Sequence, residues 1–402
     1  MKKICKDCEP DKVSPLHLTE QVGKLFFPLQ LTLQFIFNSL KRYNRPYGRL
    51  YNAVVSSFFK LLLTLGILKE VEPSKQVKYD ARLDVIIQQA KRINQPIKPL
   101  SLLGHPTRFV STTIDNKKSY FEVFPTNRAW QNYPVDIDDK ITFKNLLGNN
   151  KMPVAKGTVF WSSRRAAEYA IHKLGYPLVA KPLSGSLSKH TTCNIRSAKE
   201  LTRAIKVSKK ISAQIVVEQY IRGDLFRITL VNYKVAGACL RRPPLVKGDG
   251  THTLAQLIRK KNQTIKKAAH AQHNPQPRLV PNNSELKTLV LSQGYSLKSI
   301  VPKGKNVQLH SKVTLSNGAK IIDVTDKICE KNAELFTKVA KLCGLPVVGI
   351  DVIAQDLNRP YTKQPFAVLE ANSMPYIDMH HFPTRGKPRN IAGAIWAAAL
   401  SK

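Results

Sequence analysis

Asp351, Glu370 and Asn372 are the residues of this chain whose types and spacing most plainly suggest chemistry. Asp351 sits in GIDVI (349–353), and Glu370 and Asn372 sit in FAVLEANSM (366–374). Each run is short, apolar or β-branched, and interrupted by one acid, so each reads as a buried strand that carries a carboxylate to one end of a sheet. Residues two apart project from the same strand face, which sets Glu370 beside Asn372. Three oxygen donors suit a hard cation, and magnesium held by a few carboxylates commonly also holds substrate phosphates. The plainer reading is a strand that ends at Glu370 and a turn that begins at Asn372.

A second stretch has the chemistry of phosphate binding. A helix through RRAAEYAIHKLG ends at Gly175, and YPLVAKPLSGSLSKHTTCNI then reads as strand, turn and strand, with Lys181 projecting from the end of the first strand. The small polar loop around Gly185 can present N–H groups and hydroxyls to phosphate oxygens, with Lys181 as the point charge. Upstream, DIDDKITFKNLL (136–147) reads as a capped helix with acids in its first turn, Lys140 early on it and Lys144 one turn further. Downstream, ISAQIVVEQYIRGDLFRITLV reads as two apolar strands divided by RGD, which brings Glu218, Asp224 and Arg227 near one another. KVAGACLRRPPLVKGDGTHT ends a strand on Arg241 and Arg242 and turns at GDG.

These residues lie in a chain of 402, long enough for two or three domains, with 43% hydrophobic content and a net charge of +37. Residues 151–287 hold 26 Lys and Arg against 6 Asp and Glu, a local excess of 20. Such a field draws nucleotides, acidic peptides or polymers, nucleic acid or anionic lipid. No nucleic-acid-reading motif or interleaved aromatic stripe accompanies the charge, so nucleic acid is the weakest of these partners. Six scattered cysteines form no disulfide framework and fit a reducing cytoplasm. Cys5 and Cys8, with His17 after them, lack the second pair a zinc site needs. The acidic turn in MKKICKDCEPDK does not resemble a secretory signal.

The remaining elements follow from periodicity and turn residues. Residues 1–78 read as a basic, helical extension: LFFPLQLTLQFIFNSL (25–40) and residues 51–68 are amphipathic, joined by KRYNRPYGRLYN. They either pack as a hairpin, the favoured reading, or lie on an anionic membrane surface through residues 20–70; neither is a persuasive span. Residues 79–135 read as a small α/β unit, with LDVIIQQAKRIN helical and SLLG, RFVSTTI and KKSYFEVFP as strands. Residues 259–284, basic and rich in Asn, Gln and Pro, read as a mobile surface loop. A helix over 330–343 precedes GIDVI. MHHFPTRGKPRN is a basic loop before a closing helix.

In this order, the lysine helix, AKP, VVEQYI, RRPP with GDG, GID and EAN, the chain resembles the ATP-grasp superfamily. Across about 83–395, KPLSG, RRPPLVKGDGTHT, SIVPKG, DVTD, GIDVI, LEANSMP and MHHFP are similar to the ATP-grasp part of cyanophycin synthetase. The resemblance implies an α/β (α+β) architecture with an ATP-grasp domain over 136–402, divided into lobes at 218/219, behind the small unit. It implies a cytoplasmic ligase that joins a carboxylate to the amine of an amino acid or peptide, using ATP and two magnesium ions. Lys140 and Lys181 then hold nucleotide phosphates, with Gly185 in the phosphate loop. Glu218, Gln219 and Ile221 meet adenine, and Asp224 takes the ribose. Asp351, Glu370 and Asn372 hold magnesium, and Arg227, Arg241 and Arg242 face the transferred phosphate or the activated carboxylate. Ser188 and His190 stand where the family's loop has glycines, Asp224 comes one residue early, with Leu225 in the expected place, and Pro375-Tyr376 replaces Pro-Gly. A homo-oligomer is left open by the sequence.

Overall fold

The computed structural model describes residues 61–74, 76–77, 79–125, 137–183, 190–311, 313 and 317–401. The CxxC pair, the first amphipathic helix, most of the second and the phosphate loop with Gly185 lie outside these residues. Among the described residues, no helix is long and apolar enough to cross a membrane.

The first unit is an antiparallel sheet of β1 (Leu68–Glu70), β2 (Ile97–Leu102), β3 (His105–Ile114) and β4 (Lys117–Glu122), in that order. Helix α1 (Ala81–Arg92) buries Leu83, Ile86, Ile87 and Ala90 on one stripe, the periodicity its sequence carries. Asp115 and Asn116, at φ 49° and 57°, close the β3–β4 hairpin in the left-handed region that these two residue types tolerate. The unit also reaches back into the stretch expected to be wholly helical. A helical turn at 61–64 ends at Gly66, φ 68°, and Leu68–Glu70 then pairs with Leu100–Leu102.

The second unit is a four-stranded sheet, β5 (Gly157–Phe160), β8 (Ile215–Gln219), β6 (Leu178–Pro182) and β7 (Thr192–Ile195) in spatial order, backed by α3 (Ser163–Tyr169) and α4 (Ala198–Ser208). The third is a five-stranded sheet in the order β13 (Lys320–Asp323), β10 (Lys234–Arg242), β9 (Asp224–Val231), β14 (Val347–Ala354) and β15 (Phe366–Asn372). Helix α7 (Glu330–Cys343) lays Leu335, Phe336, Val339 and Cys343 on it, and α2 (Lys140–Asn149) adds Phe143 and Leu147. No acid lies in the first turn of α2, contrary to expectation. Asp139 is its N-cap, accepting from Thr142 N at 2.8 Å, and Asp138 lies before the helix.

Between β10 and β13 a small excursion pairs β11 (Leu245–Lys247) with β12 (Asn306–Gln308) and packs them against α5 (Leu254–Ala271) and α6 (Ser284–Ser292). Residues 259–271, expected in a mobile loop, belong to α5. A capping box between Thr253 and Gln256 starts the helix, and Leu254, Leu257, Ile258 and Ala269 bury its sparse apolar stripe. The expected basic loop after residue 378 includes a short helix, α8 (Asp378–His381), before the closing helix α9 (Ile391–Leu400).

The small unit is not separate from the five-stranded sheet. Leu83, Ile86 and Trp396 share one core with Val231, Val347 and Ile377. Trp396 on α9 is fully buried, meets Phe121 edge-on at 6.3 Å, and donates from Nε1 to the Ile86 carbonyl at 3.1 Å. Trp396→Ala should therefore cost about 3–5 kcal/mol. Hydrogen exchange should quicken in α1 and β9 together; quickening confined to α9 would contradict a shared core.

Candidate active site

The centre of the site is a lateral row across three strands. Arg227 on β9 stands opposite Asp351 on β14, which stands opposite Glu370 on β15, so the three side chains share one face of the sheet. Arg227 grips Asp351 with two nitrogens, Nε at very short range and Nη2 at 3.1 Å, and both residues are buried. Arg241, two along β10 from the partner of Arg227, adds Nη1 to Asp351 Oδ2 at 3.2 Å. Burial opposes ionisation of Asp351, but the two guanidinium groups outweigh it and hold the carboxyl below its ordinary range. Burial, and then the charge of Asp351, push Glu370 the other way. Gly349 leaves room for this packing, because a Cβ there would fall 2.5 Å from Pro375 Cβ and 2.8 Å from Arg227 Nη1.

The residues fit a hard cation. Two carboxylates face each other, and Asn372 follows on the face of Glu370; among the described residues its side chain makes only a 3.5 Å contact from Nδ2 to the Gly349 carbonyl. Among the described residues no three His, Cys, Asp or Glu side chains form a metal cluster. Two carboxylates and an amide suit magnesium, which keeps waters and substrate phosphates in its shell, better than a metal that needs an all-protein cage.

Across from this row, the four-stranded sheet and α2 supply cations. Glu218 on β8 accepts from Lys181 of β6 at 2.5 Å and from Lys144 of α2 at 2.9 Å. Burial opposes its ionisation, yet the two lysines bring the carboxyl below its ordinary value. Lys181 is affected in the reverse sense: burial disfavours its charge, and Glu218 more than restores it. Lys140 donates to the Leu183 carbonyl at 3.2 Å, and burial followed by repulsion from Lys181 lowers its ammonium. Both lysines feel the charge of Glu370, so the seams on the two sheets face one field. A small cleft lined by Phe143, Lys144, Ala155, Glu218 and Val368 opens beside them.

The structure does not gather all the expected residues. Arg242, adjacent to Arg241 and therefore on the opposite strand face, lies at the surface paired to Asp224 at 2.7 Å. Glu218, Asp224 and Arg227 consequently pair with different residues and not with one another. The Gln219 N–H is engaged by the Lys156 carbonyl at 2.8 Å, and Ile221 lies in the link between β8 and β9. His190, the first described residue after the loop, packs toward α4. At φ 55° its backbone has a glycine-like conformation, and its ring is buried against α4, with Nδ1 2.9 Å from the Val207 carbonyl. Sequence reasoning left Lys144 out of the site, although its one-turn spacing from Lys140 puts both on one helical face. It also missed Asp138, which takes the N–H and hydroxyl of Ser373 at 3.1 and 2.5 Å across 235 residues, a pairing no local pattern signals.

In overall fold the chain matches the crystal structure of a bifunctional glutathione synthetase from Pasteurella multocida. The TM-score is 0.57 at 22% identity, over 79% of this chain and 44% of that one. The fold is the ATP-grasp fold. In sequence, the chain is similar to cyanophycin synthetase of Trichormus variabilis, 34% identical over 257 residues, 64% of this chain and 28% of the relative. It is 35% identical over 260 residues to cyanophycin synthetase of a Synechocystis species, 64% of this chain and 29% of the relative. The chain thus spans under a third of the length of these relatives. No protein-family model matches it.

Two outcomes follow from the charges. Glu370→Gln should raise the melting temperature in chelator at neutral pH, by removing a carboxylate that Asp351 opposes, and should abolish any increment that magnesium gives the wild type; a lower melting temperature in chelator would contradict this. Glu218→Gln strands two half-buried ammonium groups and should cost about 3 kcal/mol. Because the Glu218 carboxyl is lowered, its stabilisation is fully present above the ordinary value of 4.5 and is lost as pH falls through the folded value. Denaturant titrations should therefore show the gap between wild type and variant narrowing in acid.

Proposed function

We propose that the chain is an ATP-dependent carboxylate–amine ligase that forms an amide or peptide bond on an amino acid or acidic peptide. The observation that carries this reading is the Arg227–Asp351–Glu370 row, with Asn372 beside it, facing the Lys140 and Lys181 seam on an ATP-grasp fold. Relatives named cyanophycin synthetase, and a glutathione biosynthesis bifunctional protein of Pasteurella multocida 28% identical over 265 residues, support the class.

On this reading Lys181 and Lys140 orient the ATP polyphosphate as point charges, and Glu218 fixes the Lys181 ammonium between turnovers. Asp351, Glu370 and Asn372 would hold magnesium, which supplies charge neutralisation for the phosphates. The Arg227 and Arg241 side chains, fixed by Asp351, present positive charge where the transferred phosphoryl group gathers negative charge. The acceptor carboxylate attacks the γ-phosphate, releasing ADP and giving an acyl phosphate. The amine then attacks the acyl carbon, expels inorganic phosphate and loses a proton.

ADP release by the purified protein with Mg-ATP, against pooled amino acids and short acidic or basic peptides, tests this. Substrate-dependent release should occur in the wild type and fall at least a hundredfold in Lys181→Ala. A second reading, a nucleotide-binding module without turnover, is favoured by the engagement of Lys181 with Glu218. ATP binding with no release from any pool would establish it and sink the ligase.

A further inference from the structure

Arg82, in the first turn of α1, is buried at 5% exposure and lies 292 residues from its most distant partner. Nε and Nη2 take the two oxygens of Asp80 at 2.8 and 2.7 Å. Nη1 donates to the Met374 carbonyl at 2.8 Å, and the guanidinium carbon lies 4.4 Å from the centre of the Tyr376 ring. Asp80 also accepts from the Arg82 N–H at 2.9 Å, so the pair is locked to the helix N-terminus.

A guanidinium is costly to bury, and here its hydrogen bonds run to one carboxylate and one main-chain carbonyl. The carbonyl belongs to the turn that leaves β15 immediately after Asn372. Other groups hold the same turn: Ser373 donates N–H and hydroxyl to Asp138, and Pro375 packs against Gly349. The Asn372 side chain, by contrast, has among the described residues only the 3.5 Å contact of its own amide. Its side-chain position is therefore set by the backbone that follows it. Tyr376, which stands where the resemblance leads one to expect glycine, supplies the ring on which Arg82 stacks.

We propose that Arg82 is a positioning residue: from the small N-terminal unit it fixes the 373–376 turn and thereby holds Asn372 and Glu370 in register as oxygen donors for a divalent cation. This rests on the nucleotide and cation site of the ligase reading. The Asp80–Arg82 pair is the part that reads the turn, and Tyr376 is the surface against which it is registered.

The test uses the full chain with a non-hydrolysable ATP analogue and manganese as the cation, free metal being read by electron paramagnetic resonance. Arg82→Ala should weaken manganese binding about tenfold, the scale of supporting-shell losses. Arg82→Lys, which keeps the charge but not the fork, should fail to restore it. Hydrogen exchange at 373–377 should rise in both variants while β9 and β14 stay protected, a pattern that general destabilisation would not give. Tyr376→Ala, which leaves the Asp80 pair intact, should act in the same direction by less, and serves if Arg82→Ala does not fold. Wild-type manganese affinity and unchanged exchange in these variants would overturn the positioning role alone. A wild type that takes up no manganese with the analogue would overturn the site reading and the inference together.

Discussion

A carboxylate buried at 4% exposure in the middle of a five-stranded sheet must be neutralised, and meeting that requirement at Asp351 organises the rest of the site. Two arginines on two strands do so, one head-on and one diagonally. This works only because β9 and β14, more than a hundred residues apart in sequence, are neighbours in the sheet and bring the β9–β10 and β14–β15 pairs together. Once Asp351 is held ionised, Glu370 beside it faces both burial and a neighbouring negative charge. On the proposed ligase reading, that surplus of oxygen ligands beside fixed guanidinium groups is what would let the row take a cation and phosphate.

The opposite seam follows the same logic with the signs exchanged. Glu218 is the buried acid there, and Lys181 and Lys144 are its counter-ions, supplied by a different sheet and by α2. One carboxylate there faces three ammonium groups, so this side keeps a surplus of positive charge, and α2 ties it to the five-stranded core through Phe143 and Leu147. What they share is the space between, where Lys140 and Lys181 sense the charge of Glu370. The N-terminal unit is built into this arrangement through the Trp396 core and the turn after β15, so it acts as part of the frame.

The parts legible in the sequence were those with local, strong patterns. GIDVI and FAVLEAN announce themselves as buried strands, and the register of Asp351 with Glu370 follows once they pair. The helices at 81–92 and 330–343 carried a clear apolar period. Helix α5 was hidden because lysine, asparagine and glutamine interrupt its apolar stripe, and its start depends on a Thr253–Gln256 capping box. Arg241 and Arg242 looked equivalent as a dipeptide, but strand alternation sends one into the site and the other to the surface. The contacts of Asp138 with Ser373 and of Arg82 with Met374 span hundreds of residues and leave no local trace.

The central claim is that one cation, bound with nucleotide, sits on the Asp351–Glu370–Asn372 face between the two sheets. Crystals grown with manganese and a non-hydrolysable ATP analogue test it most directly, through the anomalous signal of the metal. The account predicts a peak within coordination distance of those three side chains, with the polyphosphate running from it toward Lys140 and Lys181. Manganese bound at other carboxylates, or a nucleotide seated away from Lys181 with no metal on β14 and β15, would contradict it.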